Sequence, residues 1–536
     1  MFKVDNAVIL AAGVGSRFIP ITFETPKGLV PVRGVPMIER QIRQLRAAGI
    51  QDIIIVTGYM REKFNYLKEK YGKIKIIYNR EYAVKNNLSS LFRVRRFLKN
   101  TYILSSDNWI RENMFHPSEE RSWYSAVYKE GPTDEWCLSL ADDGRITDVT
   151  IGGADSWVMY GPVFLSEDFS VPFREKLYQY YHTHGTENYM WEHIFIAEKA
   201  HFDLYVNKQK SDNVYEFESL EELRAFDPEY GYRTSNKCLA VISNVFGAEE
   251  SAIKNVAAIK AGMTNNSFSF EVNGEAYIFR HPGKGSNLLI DRRREKAVYE
   301  TIKPLGVSDD VVYFDEKSGV KISRYYKGAR NTSAQNLRDL KDSLALLRRV
   351  HLSGLKTAKP FLIDREIKRY MNMMIGKDNL KYLFSTRMYL KMIRVLVILK
   401  KMKVPKTLCH VDCNPDNFIR LEDGTLKLID WEYAGMADPI MDIAMYAIYA
   451  YYSKKEADDF LKLYLGRNPR LGETLRLYAY MALGGFLWML WTEYKEFFGV
   501  AFGDYGRKMR QYAEVYYDYT LSLAGKNKKS KKPKGR

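Results

Sequence analysis

The sequence is poor in cysteine and in long apolar runs, and each shortage excludes a class of protein. Its four cysteines, at positions 137, 238, 409 and 413, are too few and too scattered for a disulfide framework. The longest uncharged apolar run, residues 478–491, is shorter than the ~18 residues that a membrane span needs. No basic leader or cleavage site precedes the first apolar strand. We therefore expect a cytoplasmic protein without a membrane span.

Two of the cysteines, Cys409 and Cys413, flank His410, and this arrangement could hold a metal ion. No second pair of ligands follows at the spacing of a zinc site. The sequence therefore favours two small thiols that fill the core.

Positive charge is concentrated at the end of the chain. The formal net charge is +17, and seven of these charges lie in residues 526–536. That segment has no aliphatic or aromatic residue, which predicts a disordered basic tail. The tail could touch anionic lipid or nucleic acid, but we interpret it as a solubilising terminus and expect no nucleic-acid partner. The smaller excess on the rest of the chain suits polyanionic nucleotide ligands.

A chain of 536 residues is too long for a single core, and its patterning changes near the middle. Short apolar strands alternate with amphipathic helices up to about residue 110, followed by turn-rich strands at 120–165. This predicts an α/β, mostly parallel, Rossmann-like sheet with an antiparallel insertion. Residues 240–325 predict a sheet-rich lobe and the following residues a helical lobe, as in a two-lobed, protein-kinase-like α+β domain. We predict domains at 1–232 and 236–525, then the tail.

The first motif, residues 10–32, joins glycines and cationic side chains directly after a strand. Gly13 and Gly15 can turn their amides towards phosphates. Arg17 and Lys27 supply the positive charge that a triphosphate and a departing pyrophosphate require. No third glycine and helix follow at the spacing of a dinucleotide-binding loop.

This string resembles the signature of the nucleotidyltransferases that couple nucleoside triphosphates to sugar phosphates and phosphoalcohols. The resemblance implies a divalent metal, Mg²⁺, held by Asp107 and by Glu216, with Glu218 as the rival of Glu216. It is closest to the bacterial CTP:phosphocholine cytidylyltransferases and extends to about residue 226, with support from residues 66–72, 86–91 and 135–136. It also implies nucleotide contacts by three further residues, Ala11, Asn87 and Ser89.

A trimethylammonium group binds best against an aromatic face with a carboxylate nearby. Trp136 could supply the aromatic face, with Trp191 as a weaker candidate, and Asp107 or Glu192 could supply the carboxylate. The alternative is that Trp136 is an ordinary core residue.

The second motif spaces an aspartate and an asparagine as phosphoryl transfer to a hydroxyl requires. Residues 410–417 read His-Val-Asp-Cys-Asn-Pro-Asp-Asn, and the strand 426–429 ends at Asp430. In this pattern Asp412 orients the acceptor alcohol and takes its proton, whereas Asn417 and Asp430 hold Mg²⁺ on the phosphates of ATP.

The region before this motif resembles the choline kinase and aminoglycoside phosphotransferase group. The loop 262–267, including Asn265 and Ser267, can cover phosphates. Arg280 stands where kinases usually have lysine, as is typical of choline kinases, and Glu295 could pair with it. The resemblance covers roughly residues 240–523.

The acceptor pocket separates the two branches of this group, because choline requires an aromatic cage and aminoglycosides require many carboxylates. Trp488 and Trp491 lie on one face of a helix, and Tyr505 follows a Phe-Gly segment. We predict that these three residues line a choline pocket, although both tryptophans could simply pack the helix. Choline kinases of animals carry a carboxylate shortly after the segment of Asp442, where this chain has Ile448 and Tyr449.

The two halves fit one sequence of reactions: a kinase makes phosphocholine from choline and ATP, and a cytidylyltransferase joins phosphocholine to CTP. Three alternatives remain open at this point. The acceptor could be ethanolamine or another amino-alcohol, one half could be a regulatory nucleotide-binding module, or the tail could recruit the protein to nucleic acid or membrane.

Overall fold

The structure is a computed structural model that describes residues 1–232, 234–259, 265–283, 285–375, 379–402, 404–497 and 502–530. The chain divides into two compact units, one made of residues 1–258 and 270–273 and the other of residues 259–269 and 274–536. The predicted limits at 232 and 236 lie within the first unit and stay predictions of where each activity ends. No described helix is long and apolar enough to cross a membrane.

The first unit is built on a seven-stranded sheet that is parallel except for one strand, Ile146–Leu165, which runs antiparallel to both of its neighbours. Its strands in spatial order are Tyr205–Gln209, Trp123–Leu140, Ile146–Leu165, Thr101–Ser105, Asn6–Ala11, Ile53–Thr57 and Ile74–Tyr78. The last four run parallel, with Ala7 opposite both Ile53 and Tyr102. They are short and rich in β-branched residues, as expected for strands that are covered on both faces. The predicted mostly parallel sheet and its antiparallel insertion are therefore confirmed.

Further helices and short strands complete this unit. The helices are Met37–Ala47, Tyr66–Tyr71, Asn87–Val94, Glu167–His182, Glu192–Glu198, Leu220–Phe226, Glu229–Tyr232 and Lys237–Phe246. The short strands are Phe2–Lys3, Pro31–Val32, Val35–Pro36, Asn108–Ile110, Ser118–Glu119, Val214–Glu216 and Lys254–Ala258. A 3-10 turn at Arg61–Phe64 precedes the helix Tyr66–Tyr71.

The second unit has a sheet followed by a helical lobe, which confirms the kinase-like architecture. Four adjacent strands of its sheet are, in spatial order, Asn265–Val272, Glu275–Pro282, Lys321–Arg324 and Val311–Phe314. Small strand pairs in the second lobe carry the motif residues: Arg330–Asn331, Thr407–Cys409, Phe418–Arg420, Leu426–Leu428 and Gly435–Ala437. The helices are Ser286–Leu289, Arg292–Ile302, Leu337–His351, Ile363–Met374, Asn379–Lys400, Ile440–Tyr449, Lys454–Leu465, Leu471–Glu496 and Tyr505–Ser530.

The last helix reaches five residues into the segment predicted as a disordered tail, since it ends at Ser530. Residues 531–536 lie outside the described residues. The longest apolar run, residues 478–491, lies inside the helix Leu471–Glu496 and is mostly buried in the core of the helical lobe. All four cysteines are free and buried, in agreement with core-filling thiols.

Candidate active sites

The glycine-rich loop after the first long strand packs closely on itself. Gly15 adopts a left-handed backbone conformation with φ of 64°. A Cβ atom at this position would lie 3.0 Å from Cγ2 of Thr22 and 3.2 Å from Cβ of Lys27. The hydroxyl of Thr22 donates to the carbonyl of Gly15 at 3.0 Å. A side chain at position 15 would crowd Thr22 and Lys27, so the loop needs glycine here for the lysine to lie against it.

Lys27 lies between the two predicted metal-binding carboxylates. Its Nζ is 2.8 Å from Oδ2 of Asp107 and 3.8 Å from Oε1 of Glu216. Asp107 follows the strand Thr101–Ser105, and Glu216 ends a strand whose antiparallel partner begins at Asn108. The strand pairing therefore brings together carboxylates that are more than a hundred positions apart in the sequence.

The two carboxylates differ in their affinity for a proton. Burial alone would raise the pKa of Asp107, but the neighbouring Lys27 ammonium and the hydroxyl of Ser105 hold that pKa below its usual value. Burial and the charge of Asp107 raise the pKa of Glu216 to about 7. Such a pair favours a bound cation, because a divalent ion would offset the repulsion between the two groups.

The rival carboxylate, Glu218, lines the same site but contacts different partners. It forms an ion pair with Arg17 at the rim of the site, and its backbone amide donates to Glu222 at 2.7 Å. The side chain of Arg17 is 77% exposed, so this ion pair is free to open towards a ligand. The geometry thus favours Glu216 as the second ligand of a metal ion.

A cavity of about 740 Å³ contains this cluster and most of the other residues predicted for the first unit. The predicted residues that line it are Ala11, Gly13, Gly15, Arg17, Lys27, Asn87, Asp107, Trp136, Trp191, Glu192 and Glu216. Ser89 is absent from the lining, because its hydroxyl donates to the carbonyl of Asn86 at 2.8 Å and accepts from Asn79 at 2.9 Å. Its neighbour Ser90 lines the cavity instead.

The acceptor end of the cavity is aromatic and carries one buried carboxyl. The hydroxyl of Tyr124 donates to Oε1 of Glu192 at 3.2 Å, and burial raises the pKa of Glu192 to about 7. Trp191 is buried and stacks on Tyr124 at 6.1 Å between ring centroids. Trp136 meets the ring of His193 edge-on at 5.1 Å. Tyr124 was missed in the sequence, because an aromatic residue on a strand gives no signal that separates it from the core.

In the second unit, Arg280 joins the sheet to the catalytic strand. The guanidinium forms a buried ion pair with Glu295, and its NH1 lies 3.3 Å from Oδ1 of Asp430. Burial alone would lower the pKa of Arg280, but Glu295 and Asp430 raise it, so the guanidinium stays protonated. One carboxylate oxygen from each of Glu295, Asp430 and Glu432 lies within 4.8 Å of the other two, a spacing at which they could hold a metal ion.

One of the other predicted nucleotide-binding residues, Asn265, contacts this cluster. The amide of Asn265 donates to Glu432 at 3.4 Å, and Arg292 bridges Glu295 and Glu432 at 2.7 and 3.1 Å. Ser267 is half-buried on the strand Asn265–Val272. Residues 262–264 of the predicted loop lie outside the described residues.

Asp412 is held by two polar neighbours. The hydroxyl of Tyr449 donates to its Oδ1 at 2.5 Å, and Nδ2 of Asn417 donates to its backbone carbonyl at 2.9 Å and to Oδ2 at 3.3 Å. Burial and the charge of Asp430 raise the pKa of Asp412 to about 7, although the hydrogen bond from Tyr449 opposes this shift. A carboxylate with this pKa can take a proton at neutral pH.

A buried aspartate fixes the loop that carries Asp412. Asp442 accepts hydrogen bonds from the backbone amides of His410 and Val411 at 2.9 and 2.8 Å, and from Nε2 of His351 at 2.9 Å. Val411 has a φ of 72°, a conformation that this tether maintains. His410 and the cysteines beside it are therefore part of a packed core, as the spacing of the cysteines favours.

Aromatic rings surround the acceptor side of Asp412. The ring of Tyr449 lies 5.8 Å from Trp488 and 6.5 Å from Tyr505, and Tyr433 meets Trp488 edge-on at 5.2 Å. Trp491 packs against Phe502 at 4.9 Å instead. Tyr449 thus contacts Asp412, Trp488 and Tyr505. In the sequence this tyrosine stands out only because it replaces a carboxylate.

Comparison with known proteins gives a separate match for each unit. Residues 6–122 match the family described as nucleotidyl transferase, and residues 255–478 match the phosphotransferase enzyme family. A choline-phosphate cytidylyltransferase from Streptococcus pneumoniae is 36% identical over 226 residues, which is 41% of this chain and 96% of the relative. A 2-aminoethylphosphonate cytidylyltransferase from Lancefieldella rimae is 36% identical over 230 residues, 42% of this chain and 94% of the relative.

The second half has its own relatives. Protein LicA from Haemophilus influenzae is 30% identical over 257 residues, which is 46% of this chain and 95% of the relative. The crystal structure of choline kinase LicA from Streptococcus pneumoniae has 28% identity and a TM-score of 0.47, covering 52% of this chain and 97% of that chain.

Fold and sites together define a nucleotidyltransferase joined to a kinase-like phosphotransferase, and the chain is a bifunctional enzyme. It belongs to the nucleotidyl transferase family through its first half and to the phosphotransferase enzyme family through its second.

Proposed function

We propose that the second unit phosphorylates choline with ATP and that the first unit couples the resulting phosphocholine to CTP, giving CDP-choline and pyrophosphate. One observation carries this proposal: in each unit, carboxylates suited to metal-bound phosphates accompany aromatic rings suited to a trimethylammonium group. A quaternary ammonium has no N–H to donate, so aromatic faces and a diffuse negative field are its natural partners.

In the kinase unit, the hydroxyl of choline takes the place of the Tyr449 hydroxyl on Asp412 and gives its proton to that carboxylate. The alkoxide oxygen then bonds to the γ-phosphorus of ATP as the bond to the β,γ-bridging oxygen breaks. Asp430 and Asn417 offer oxygen ligands of the kind that Mg²⁺ prefers. Bound there, Mg²⁺ would screen the phosphate charges, and Arg280 adds a fixed positive charge beside them.

In the nucleotidyltransferase unit, a phosphate oxygen of phosphocholine attacks the α-phosphorus of CTP and pyrophosphate leaves. The amides of the glycine-rich loop, Arg17 and Lys27 stabilise the charge that moves to the leaving group. Asp107 and Glu216 provide the hard oxygen ligands that Mg²⁺ requires.

The two nucleotidyltransferase relatives act on different compounds, a choline phosphate and an aminoethylphosphonate. The kinase half separates these alternatives on chemical grounds. Phosphoryl transfer to an alcohol makes a carbon–oxygen–phosphorus ester and cannot make the carbon–phosphorus bond of a phosphonate. A chain with both activities therefore supplies its own nucleotidyltransferase unit with a phosphate ester.

Phosphorus NMR of the full chain with Mg²⁺, ATP and choline, followed by CTP, tests the proposal. We expect phosphocholine first, then CDP-choline and pyrophosphate. Phosphocholine without CDP-choline would reduce the first unit to a binding module or a transferase for another nucleotide. Phosphorylation of ethanolamine in preference to choline would contradict the aromatic-cage argument.

A pair of variants sharpens the choice of acceptor. Trp488→Phe should lower kcat/KM for choline about threefold to thirtyfold and change that for ethanolamine less, because tryptophan has the strongest cation–π face. Trp491→Phe is the matched control, since Trp491 lies on the same helix as Trp488 but packs on Phe502. Equal losses for both substrates in both variants would mean that these rings only fill the core.

A further inference from the structure

The helix Asn379–Lys400 of the second unit exposes an apolar stripe. Four of its large apolar side chains are exposed to solvent: Leu383 by 53%, Leu390 by 60%, Ile393 by 37% and Val397 by 47%. Three of them recur every seven residues, and Ile393 lies three residues after Leu390, so all four share one side of the helix. Single exposed leucines are ordinary, but an aligned set on one helix indicates a binding face.

The opposite side of the helix accounts for its place in the fold. Met388, Met392 and Val395 are buried, and the helix packs against the helices Ile363–Met374, Leu471–Glu496 and Tyr505–Ser530. The core therefore explains the buried side but gives no reason for the exposed stripe.

The charges around the stripe are of one sign. The helix contains five lysine or arginine residues and no aspartate or glutamate, and three more lysines follow before residue 407. Arg387, Lys391 and Arg394 are exposed, and the last two also reach Tyr517 on the final helix. Long basic side chains beside exposed leucines can extend towards a charged surface while the leucines enter an apolar one.

Neighbouring elements extend the positive charge. Arg365, Lys368 and Arg369 line a cleft of about 430 Å³ on the adjacent helix Ile363–Met374. Three acidic groups on or beside these helices form ion pairs: Asp364 lies 3.8 Å from Lys400, Glu366 pairs with Arg369, and Glu514 lies 3.1 Å from Arg510. A fourth, Glu493, accepts a hydrogen bond from Ser385 at 3.2 Å. A partner of this face therefore meets net positive charge with apolar side chains among it.

We propose that the exposed side of the helix Asn379–Lys400 is a membrane-association surface that lies in the headgroup region of an anionic bilayer. An aligned apolar stripe with basic flanks is the pattern of an interfacial helix, in which leucines enter the acyl boundary and cations contact lipid phosphates. Because no described helix can cross a bilayer, the association is peripheral. The proposal does not depend on which acceptor the enzyme uses.

Flotation of the full chain with lipid vesicles tests this surface. The protein should float with vesicles of equal parts phosphatidylcholine and phosphatidylglycerol, should float much less with pure phosphatidylcholine, and should be released by 0.5 M salt. The double variant Leu390→Glu/Val397→Glu should lower the bound fraction at least about tenfold, because two apolar side chains leave the interface and two negative charges enter it.

Two further proteins serve as controls. Leu337→Glu changes a residue that is 61% exposed at the start of another helix, and it should bind vesicles as the unchanged protein does. A chain without residues 526–536 separates the helix from the basic tail and should retain most of the binding. Kinase activity in solution should be normal in the double variant, which shows that the lobe is folded.

Three results would overturn the proposal. The unchanged protein could fail to float with anionic vesicles, or the double variant could float as well as the unchanged protein does. Alternatively, sedimentation could show a dimer that the double variant abolishes, in which case the stripe is covered by a second copy of the chain.

Discussion

The two active sites place their positive charges in different ways. In the nucleotidyltransferase unit, Lys27 lies on a loop with its ammonium shared between two carboxylates, at 2.8 and 3.8 Å. In the kinase unit, the side chain of Arg280 is 6% exposed and is held by Glu295, which is fully buried. An ammonium on a flexible stem can follow a leaving group, whereas a paired guanidinium keeps its position. The comparison indicates that Lys27 can move with the phosphates, whereas Arg280 stays in a fixed position.

Both sites also contain a carboxyl whose pKa is raised to about 7, for different uses. Burial and Asp107 raise that of Glu216, next to a cation-binding position. Burial and Asp430 raise that of Asp412, which faces the acceptor pocket. A bound metal ion would keep Glu216 ionised, whereas in the proposed kinase reaction Asp412 would accept a proton in each turnover.

The largest expected effect is a loss of kinase activity that leaves cytidylyl transfer unchanged. Asp412→Asn keeps the shape of the side chain but cannot take a proton, so choline phosphorylation should fall about 10²-fold to 10⁴-fold. CDP-choline formation from added phosphocholine and CTP should be unchanged in the same preparation. A loss of both activities would show that the substitution acts on folding and that the two sites are not independent.

The reciprocal change is Lys27→Met, which retains the length of the side chain and removes its charge. Cytidylyl transfer should fall about 10²-fold to 10³-fold, because a charge that stabilises the leaving pyrophosphate is lost. Kinase activity, measured by ADP release with choline, serves as the internal control. A decrease of less than about threefold would assign the role of Lys27 to Arg17.

A smaller effect distinguishes the two glutamates near the metal position. Glu216→Gln should raise the Mg²⁺ concentration needed for half-maximal cytidylyl transfer at least about tenfold, because a ligand of the metal is lost. Glu218→Gln is the matched control and should leave the Mg²⁺ dependence unchanged, since Glu218 pairs with Arg17. The opposite result would exchange their roles.

The smallest effect is a shift in the pH dependence of the kinase. The deprotonated form of Asp412 is the active one, so kcat/KM for choline should fall as the pH drops through about 7, by about tenfold per unit at lower pH. Tyr449→Phe removes a hydrogen bond that lowers this pKa and should move the fall to higher pH. Tyr446→Phe, on the same helix, should not move it, and an equal shift in both variants would mean a general change in packing.

The sequence predicted best what local spacing encodes. The segment 410–430 keeps its functional groups within a short stretch of chain, so residue type and spacing placed Asp412 beside Asn417. Both domain architectures followed from the alternation of strands and helices and were confirmed.

The sequence could not assign residues to the sites where the assignment depends on side-chain direction or on contacts between distant residues. Tyr124 and Tyr433 look like core residues in the sequence, and only the packed structure directs them to the sites. Ser89 and Ser90 differ by one position on a helix, a rotation of about 100° that decides which serine faces the cavity. Glu216 and Glu218 are alike in sequence and are separated only by their contacts.

The segment after the nucleotidyltransferase motifs has a practical consequence for dissecting this enzyme. The amide of Asn236 donates to the carbonyl of Pro20 at 3.1 Å, and the backbone amide of Lys237 donates to Glu24 at 3.0 Å. Arg224 is tied to the carbonyls of Glu250 and Ile253 at 2.8 and 2.6 Å. A fragment that ends at residue 232 would thus lack these hydrogen bonds to the loop that carries Pro20 and Glu24, whereas a fragment that ends at residue 258 would keep them. The segment between the two active sites is therefore part of the nucleotidyltransferase structure. A fusion of this unit to a different catalytic domain would have to include that segment.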